Sequence, residues 1–121
     1  MGERERWINE AFIIQPDGEL FRVAISLDDE EAQKRTLRES VGEPPDAVEL
    51  ADGTLWADRM AAERELPMNP VASMLAHVSI LGTVVFTGRD SSGGIADLGG
   101  SAVQRLWACH KLFQAGDTPA E

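Results

Sequence analysis

The sequence predicts an α+β domain in which a mostly antiparallel sheet of about five strands packs against two or three helices. Hydrophobic residues make up 43% of the 121 residues and charged residues 26%, as in ordinary globular domains. Short β-rich runs are separated by turn sequences, and other segments have helical spacing with capping residues at their ends. These two patterns occur in one chain of single-domain length, which predicts one mixed core.

The N-terminal third predicts an arm, a hairpin and a helix. Residues 1–10 read as a charged arm that precedes a single domain over residues 11–113. Two β-rich runs, Ala11–Ile14 and Leu20–Ile25, flank Pro16-Asp17-Gly18, which has the chemistry of a tight turn. The following segment has Ser26 or Asp28 as a candidate cap, acids in its first turn and Gly42 at its exit, which predicts a surface helix.

The middle of the chain predicts a second hairpin and then an uncharged helix and strand. Ala47–Leu50 and Leu55–Ala57 are short β-rich runs joined through Asp52-Gly53. Residues 66–88 contain no charged side chain. Asn69 followed by Pro70 predicts a helix start, and the segment led by Gly82 predicts a buried strand. We interpret the uncharged stretch as core, because its polar residues and glycine suit a membrane span poorly.

The C-terminal part predicts a glycine-rich loop and a last helix. Residues 89–101 contain four glycines, and Ser101 is the expected cap of the helix that follows. Residues 114–121 are expected to form a frayed tail. The predicted core is Phe12, Ile14, Leu20, Val23, Val48, Leu55, Leu75, Val78, Val84, Phe86, Leu106 and Phe113.

The charge balance excludes several classes of partner. The formal net charge is −10, from 21 acids against 11 bases, so the chain repels nucleic-acid phosphates and anionic membranes. A single cysteine cannot form an internal disulfide, and the N-terminal residues lack an apolar signal segment. We therefore expect a cytoplasmic protein without direct nucleic-acid or membrane binding, and the oligomeric state stays open.

One ordered set of residues resembles a known family. The stretch from Asp46 to Gly88 contains a hairpin with an acidic turn, then Leu-Pro-x-Asn-x-x-Ala, then a glycine-led apolar strand. This order is similar to that of the family catalogued as domain of unknown function 3846, small proteins of bacteria, plasmids and phages, over about residues 11–88. The matching residues are Asp52, Gly53, Trp56, Leu66, Pro67, Asn69, Ala72, Gly82, Val84 and Gly88. The resemblance implies a mobile-element setting but no activity, cofactor or catalytic residue.

An excess of acids predicts a surface for binding another protein. Residues 26–65 contain twelve acids and five bases. If these acids converge, they imitate a run of phosphates and attract a basic protein, such as one that binds nucleic acid. We expect a non-catalytic interaction protein of a phage or other mobile element that binds a host or defence protein. The candidate contact residues are Asp46, Glu49, Asp52, Asp58, Glu63 and Glu65.

The glycine-rich loop supports an alternative, the binding of a nucleotide or another anion. The loop ends at a predicted helix N-terminus, where free backbone N–H groups favour anions. No phosphate-binding loop or dinucleotide fingerprint is present. The candidate ligand-binding residues are Arg89, Gly93, Gly94, Gly99, Gly100, Ser101 and Arg105.

Catalysis is the weakest of the three hypotheses. Ser73 and His77 are four residues apart on a predicted helix, which is the spacing of a nucleophile and its base, but the sequence places no third group beside them. Cys109 and His110 are neighbours that point in different directions on a helix. We therefore predict no catalytic residue, no metal site and no cofactor.

Overall fold

Three helices form in the computed structural model, which describes residues 7–42 and 45–116. The helices are α1 (Glu30–Val41), α2 (Pro70–Ala76) and α3 (Gly100–Gln114). Helix α1 is capped by Asp29, whose carboxylate accepts hydrogen bonds from the N–H groups of Glu31 and Ala32, and it ends at Gly42 with a φ of 115°. The cap is thus Asp29 rather than Ser26 or Asp28.

Eight strands accompany these helices. They are β1 (Trp7–Ile8), β2 (Phe12–Ile14), β3 (Leu20–Arg22), β4 (Ile25–Ser26), β5 (Pro45–Leu50), β6 (Gly53–Asp58), β7 (Val84–Arg89) and β8 (Ile95–Ala96). The main sheet has the order β3-β2-β7-β6-β5, with β8 paired to β7, and β1 pairs with β4 separately. All of these pairs are antiparallel. The fold is α+β, as the sequence predicted, with one more strand in the main sheet than expected.

One face of the main sheet is covered by α2 and α3. Strand β7 alternates its side chains, so Val84 and Phe86 point to this face. The contact forms the first cluster, whose buried members are Phe12, Ile14, Leu55, Val71, Ala72, Leu75, Ile80, Val84, Phe86, Leu98, Ala102, Leu106 and Cys109. Helix α3 reaches this cluster through Leu106, and α2 through Val71 and Leu75.

The other face of the sheet packs against α1 and is thinner. Val85 of β7 points to this side, opposite to its two neighbours. The second cluster contains Ile8, Ala11, Ile25, Leu37, Val41 and Val85 as its buried members. The two clusters on opposite faces explain why β7 has buried side chains on both sides.

The uncharged stretch is core, as predicted. It forms α2, a short connection and β7, and within the part of the chain that the structure describes no helix is long and apolar enough to cross a membrane. The predicted hairpins also form, although the second turn is Ala51–Asp52 because Leu50 pairs with Gly53. Gly53 lies where a Cβ atom would come 2.5 Å from the Thr87 carbonyl oxygen, so close strand packing requires glycine here.

Besides the cap of α1, three further sequence-based assignments are wrong in detail. Val78 was predicted to be core but is 57% exposed, because α2 ends at Ala76 and the left-handed His77 turns the chain away. Trp7 and Ile8 were assigned to the arm but form β1. Ser101 lies inside α3, whose N-cap is Gly99. The rest of the arm, residues 1–6, and residues 117–121 of the tail lie outside the described residues.

Candidate functional site

The turn between β5 and β6 is held by the two arginines that the sequence suggested for ligand binding. Arg89 donates from Nη1 to the Gly53 carbonyl oxygen at 2.7 Å and from Nη2 to the Leu50 carbonyl oxygen at 2.8 Å. These two hydrogen bonds connect both sides of the hairpin turn to the end of β7. The Arg89 guanidinium is therefore committed to the fold.

Arg105 binds the same turn from the side of α3. Its Nε and Nη2 atoms donate to the two carboxylate oxygens of Asp52, each at 2.8 Å, and its Nη1 atom donates to the Leu75 carbonyl oxygen at 2.8 Å. The hydrogen-bonded Arg105 guanidinium lowers the pKa of Asp52, and the Asp52 carboxylate raises the pKa of Arg105. This bidentate pair joins the hairpin to α3 and to the end of α2.

The glycine-rich loop forms a hairpin turn and then a helix start. Asp90 organises the turn, because its Oδ1 accepts hydrogen bonds from the Ser92 N–H and hydroxyl and from the Gly94 N–H at 2.7 to 2.9 Å. The Ser92 hydroxyl bond and the Gly94 N–H bond lower the pKa of Asp90. The candidate ligand residues thus occupy three places: Gly93 and Gly94 at this turn, Gly99 to Ser101 at the start of α3, and two internally bonded arginines. The structure does not bring them together as one site.

Two of the six candidate acids are committed to internal ion pairs. Asp52 binds Arg105, and Asp58 is buried, where its carboxylate accepts a hydrogen bond from Arg64 at 2.6 Å and another from the Met60 N–H at 2.9 Å. These two pairs hold the ends of β6 in place, so neither acid is free to contact a partner.

The other four candidate acids are exposed, and the two of them in β5 point to different faces of the sheet. Asp46 and Glu49 pair with Ala57 and Thr54 of β6 and are three residues apart in β5. Because side chains alternate along a strand, these two acids point to opposite faces of the sheet. Glu63 and Glu65 lie in the loop after β6. The hairpin geometry thus separates Asp46 from Glu49, two of the residues that the acidic-surface hypothesis needs together.

Ser73 and His77 have structural environments. The Ser73 hydroxyl is buried, accepts a hydrogen bond from the Ile80 N–H at 2.9 Å and donates to the Ile80 carbonyl oxygen at 3.4 Å. His77 is the exposed C-cap of α2, with a φ of 59°. The serine therefore closes the loop after α2, and the pair does not form a nucleophile and base.

Cys109 and the other potential metal ligands do not form a reactive cluster. Burial raises the pKa of the Cys109 thiol, which favours the unreactive protonated form. Within residues 7–42 and 45–116, no three histidine, cysteine or acidic side chains are placed to hold a metal ion.

Asn69 has a larger structural role than the sequence indicated. It is fully buried, its Oδ1 caps α2 by accepting from the Ala72 N–H at 3.1 Å, and its Nδ2 donates to the carbonyl oxygens of Ile14 and Gly82 at 2.9 and 2.8 Å. The pattern predicted the cap, but the two long-range bonds depend on β2 and β7. The Leu-Pro-x-Asn-x-x-Ala segment is therefore a structural junction.

An apolar surface on α3 is a candidate functional feature that sequence reasoning missed. Val103, Trp107, Ala108 and Leu112, here named the α3 outer face, line a groove of about 670 Å³. Trp107 is 45% exposed and Leu112 is 47% exposed. Adjacent helical residues point about 100° apart, so the predicted burial of Leu106 was the available signal that Trp107 points elsewhere.

Comparisons with known proteins give a family and no activity. The model of the family described as Domain of unknown function (DUF3846) matches residues 8–110. No curated protein matches the chain, and no solved structure matches it. The resemblance seen at residues 11–88 thus extends from β1 to α3, and the chain belongs to the family described as Domain of unknown function (DUF3846).

Proposed function

We propose that this protein is a non-catalytic interaction protein that binds another protein through the α3 outer face. The observation that carries the proposal is that Trp107 and Leu112, each about half exposed, both line one groove on α3. Exposed apolar residues that are bordered by polar ones often mark interaction sites, and tryptophan is enriched among the residues that dominate binding energy. Trp107 is the expected anchor.

The charge of α3 defines the chemistry of the partner. Residues 100–114 contain Arg105 and Lys111 but no acid, although the whole chain has a net charge of −10. Arg105 is bonded internally, so Lys111 is the cation at the border of the groove. The partner that fits this face presents an apolar ridge with an acidic side chain opposite Lys111.

The biological setting comes from the sequence and remains a prediction. We propose a phage or other mobile element as the source, the cytoplasm as the compartment, and a host or defence protein as the partner. The competing proposal is that a basic partner binds to the acidic surface instead. The exposed residues of that surface are Asp46, Glu49, Glu63 and Glu65. The two versions differ in their salt dependence, because apolar contacts persist at ionic strengths that screen exposed charges.

Capture of binding proteins from a bacterial host lysate, by the wild type and by matched variants, tests whether the α3 outer face binds a partner. We expect the wild type and the control Phe21→Ser to retain the same discrete protein at low and high salt, and Trp107→Ser/Leu112→Ser to lose it. Phe21 is a suitable control because it is also 47% exposed but lies on β3, facing the other side of the sheet.

Two results would contradict the proposal that the partner binds to the α3 outer face. One is retention of the partner by the Trp107→Ser/Leu112→Ser variant. The other is loss of the partner at high salt and in Glu63→Gln/Glu65→Gln, which would assign binding to the acids. Light scattering of the purified chain completes the test, since self-association that the α3 substitutions abolish would make a second copy the occupant of this face.

A further inference from the structure

A second groove lies on the opposite face of the sheet, between α1 and the β5–β6 hairpin. Its volume is about 450 Å³, within the range of about 300 to 1,000 Å³ that is typical of small-molecule sites. It is separate from the α3 outer face and from the glycine-rich loop. The residues that form it are Glu30, Gln33, Lys34, Leu37, Arg38, Pro45 and Trp56.

The base of this groove is apolar and contains a fixed aromatic ring. Trp56 is half-buried, and its indole N–H donates to the Thr87 hydroxyl at 3.0 Å, which fixes the orientation of the ring. Leu37 and Pro45 provide apolar surface beside it. A flat aromatic group of a ligand can pack against such a surface, and an indole contributes more contact area than other side chains.

The rim of the groove is positively charged on the side of α1. Lys34 and Arg38 are four residues apart, so they lie one above the other on the helix. Among residues 7–42 and 45–116, neither forms an ion pair with an acidic side chain. Glu30 borders the groove one turn before Lys34, which gives the groove a cationic end and an anionic end.

We propose that this groove binds a small aromatic molecule that carries a phosphate, of the nucleoside monophosphate class. The phosphate binds to Lys34 and Arg38, because guanidinium and ammonium groups form strong charge-assisted hydrogen bonds with phosphate oxygens. The base packs against Trp56 and Leu37. The net charge of −10 slows the approach of an anion. Once the phosphate is bound, its attraction to Lys34 and Arg38 acts at contact distance, where salt screens it less than the repulsion from more distant acids.

Nuclear magnetic resonance titration of the full chain tests the site, with adenosine monophosphate as the probe. We expect shifts of the Trp56 indole N–H signal and of the α1 amide signals around Lys34 and Arg38. Adenosine and inorganic phosphate, each carrying half of the recognised chemistry, are expected to bind at least about tenfold more weakly than the monophosphate.

Substitutions on α1 separate the site from a general charge effect. Lys34→Ala/Arg38→Ala is expected to weaken binding of adenosine monophosphate at least about tenfold and to change the stability of the free protein by less than about 0.5 kcal/mol, since both side chains lie on the rim. The matched control is Arg35→Ala, which removes an exposed cation of the same helix outside the groove. Equal binding by the double variant, equal binding of adenosine, or an unshifted Trp56 signal at millimolar probe would overturn the proposal.

Discussion

The two faces of the main sheet are built differently, although both contact β7. The face under α2 and α3 combines the larger apolar cluster with internal polar contacts, in which Asn69, Ser73 and Arg105 bond to backbone carbonyl oxygens. The face under α1 has a smaller cluster. Its helix leaves a groove with Lys34 and Arg38 at the rim.

The polar contacts under α2 and α3 indicate that the arrangement of these two helices over the sheet is strictly determined. Buried polar groups that are fully bonded fix one arrangement of the elements, because any other arrangement leaves them without partners. The Leu-Pro-x-Asn-x-x-Ala segment, which is central to the family resemblance, belongs to the face under α2 and α3. We infer that it maintains the fold, and that binding belongs to the α3 outer face and to the α1 groove.

The largest expected effect on the free energy of unfolding is that of Asn69→Ala, on the face under α2 and α3. The substitution removes the cap of α2, the two buried hydrogen bonds to the Ile14 and Gly82 carbonyl oxygens and most of a buried side chain, so we expect a loss of about 4 kcal/mol in the free energy of unfolding. Urea denaturation followed by circular dichroism measures it. The control Asn9→Ala changes an exposed asparagine and is expected to cost less than about 0.5 kcal/mol. Similar costs for the two variants would contradict the role of Asn69.

The next effect compares the apolar clusters directly. Leu106→Ala is expected to reduce the free energy of unfolding by about 3 kcal/mol and Leu37→Ala by about 2 kcal/mol, since both delete a buried side chain but the smaller cluster can relax around the cavity. The same denaturation experiment measures both. A larger cost at Leu37 would show that the face under α1 is the better packed of the two, and would reverse the comparison.

The smallest effect depends on pH. Asp52→Asn is expected to cost about 1–2 kcal/mol at pH 7, because it weakens the bidentate bond to Arg105. Arg105 lowers the pKa of Asp52 in the folded state, so the pair stabilises the fold above the unfolded pKa and this contribution is lost as the pH falls through the folded pKa. The difference between wild type and variant should therefore shrink below about pH 4.

Thermal unfolding from pH 7 down to pH 3 measures this difference. Asp46→Asn provides the control, since it removes an exposed acid from the same hairpin without breaking an ion pair to the described residues. A constant difference across the pH range would show that the Asp52–Arg105 pair contributes nothing through its charge.

The candidate sites were less predictable than the fold. The sequence predicted the last helix and the burial of Leu106, but the groove beside Trp107 and Leu112 became visible only with the position of α3 over the sheet. The groove under α1 combines Lys34 and Arg38 with Trp56, which is about twenty residues further along the chain. No local pattern connects a helix with a distant strand, so this site was not visible in the sequence.

By itself, the sequence determined the α+β class, the two hairpins, the cap at Asn69 and the absence of charge in the core stretch. These features depend on local chemistry: turn residues, capping side chains and the periods of helix and strand. Only the tertiary structure decided that Arg89 and Arg105 bind the β5–β6 turn and that Asn69 reaches the Ile14 and Gly82 carbonyl oxygens. Those outcomes depend on contacts between residues far apart in the chain, and the packing of the sheet and helices creates these contacts.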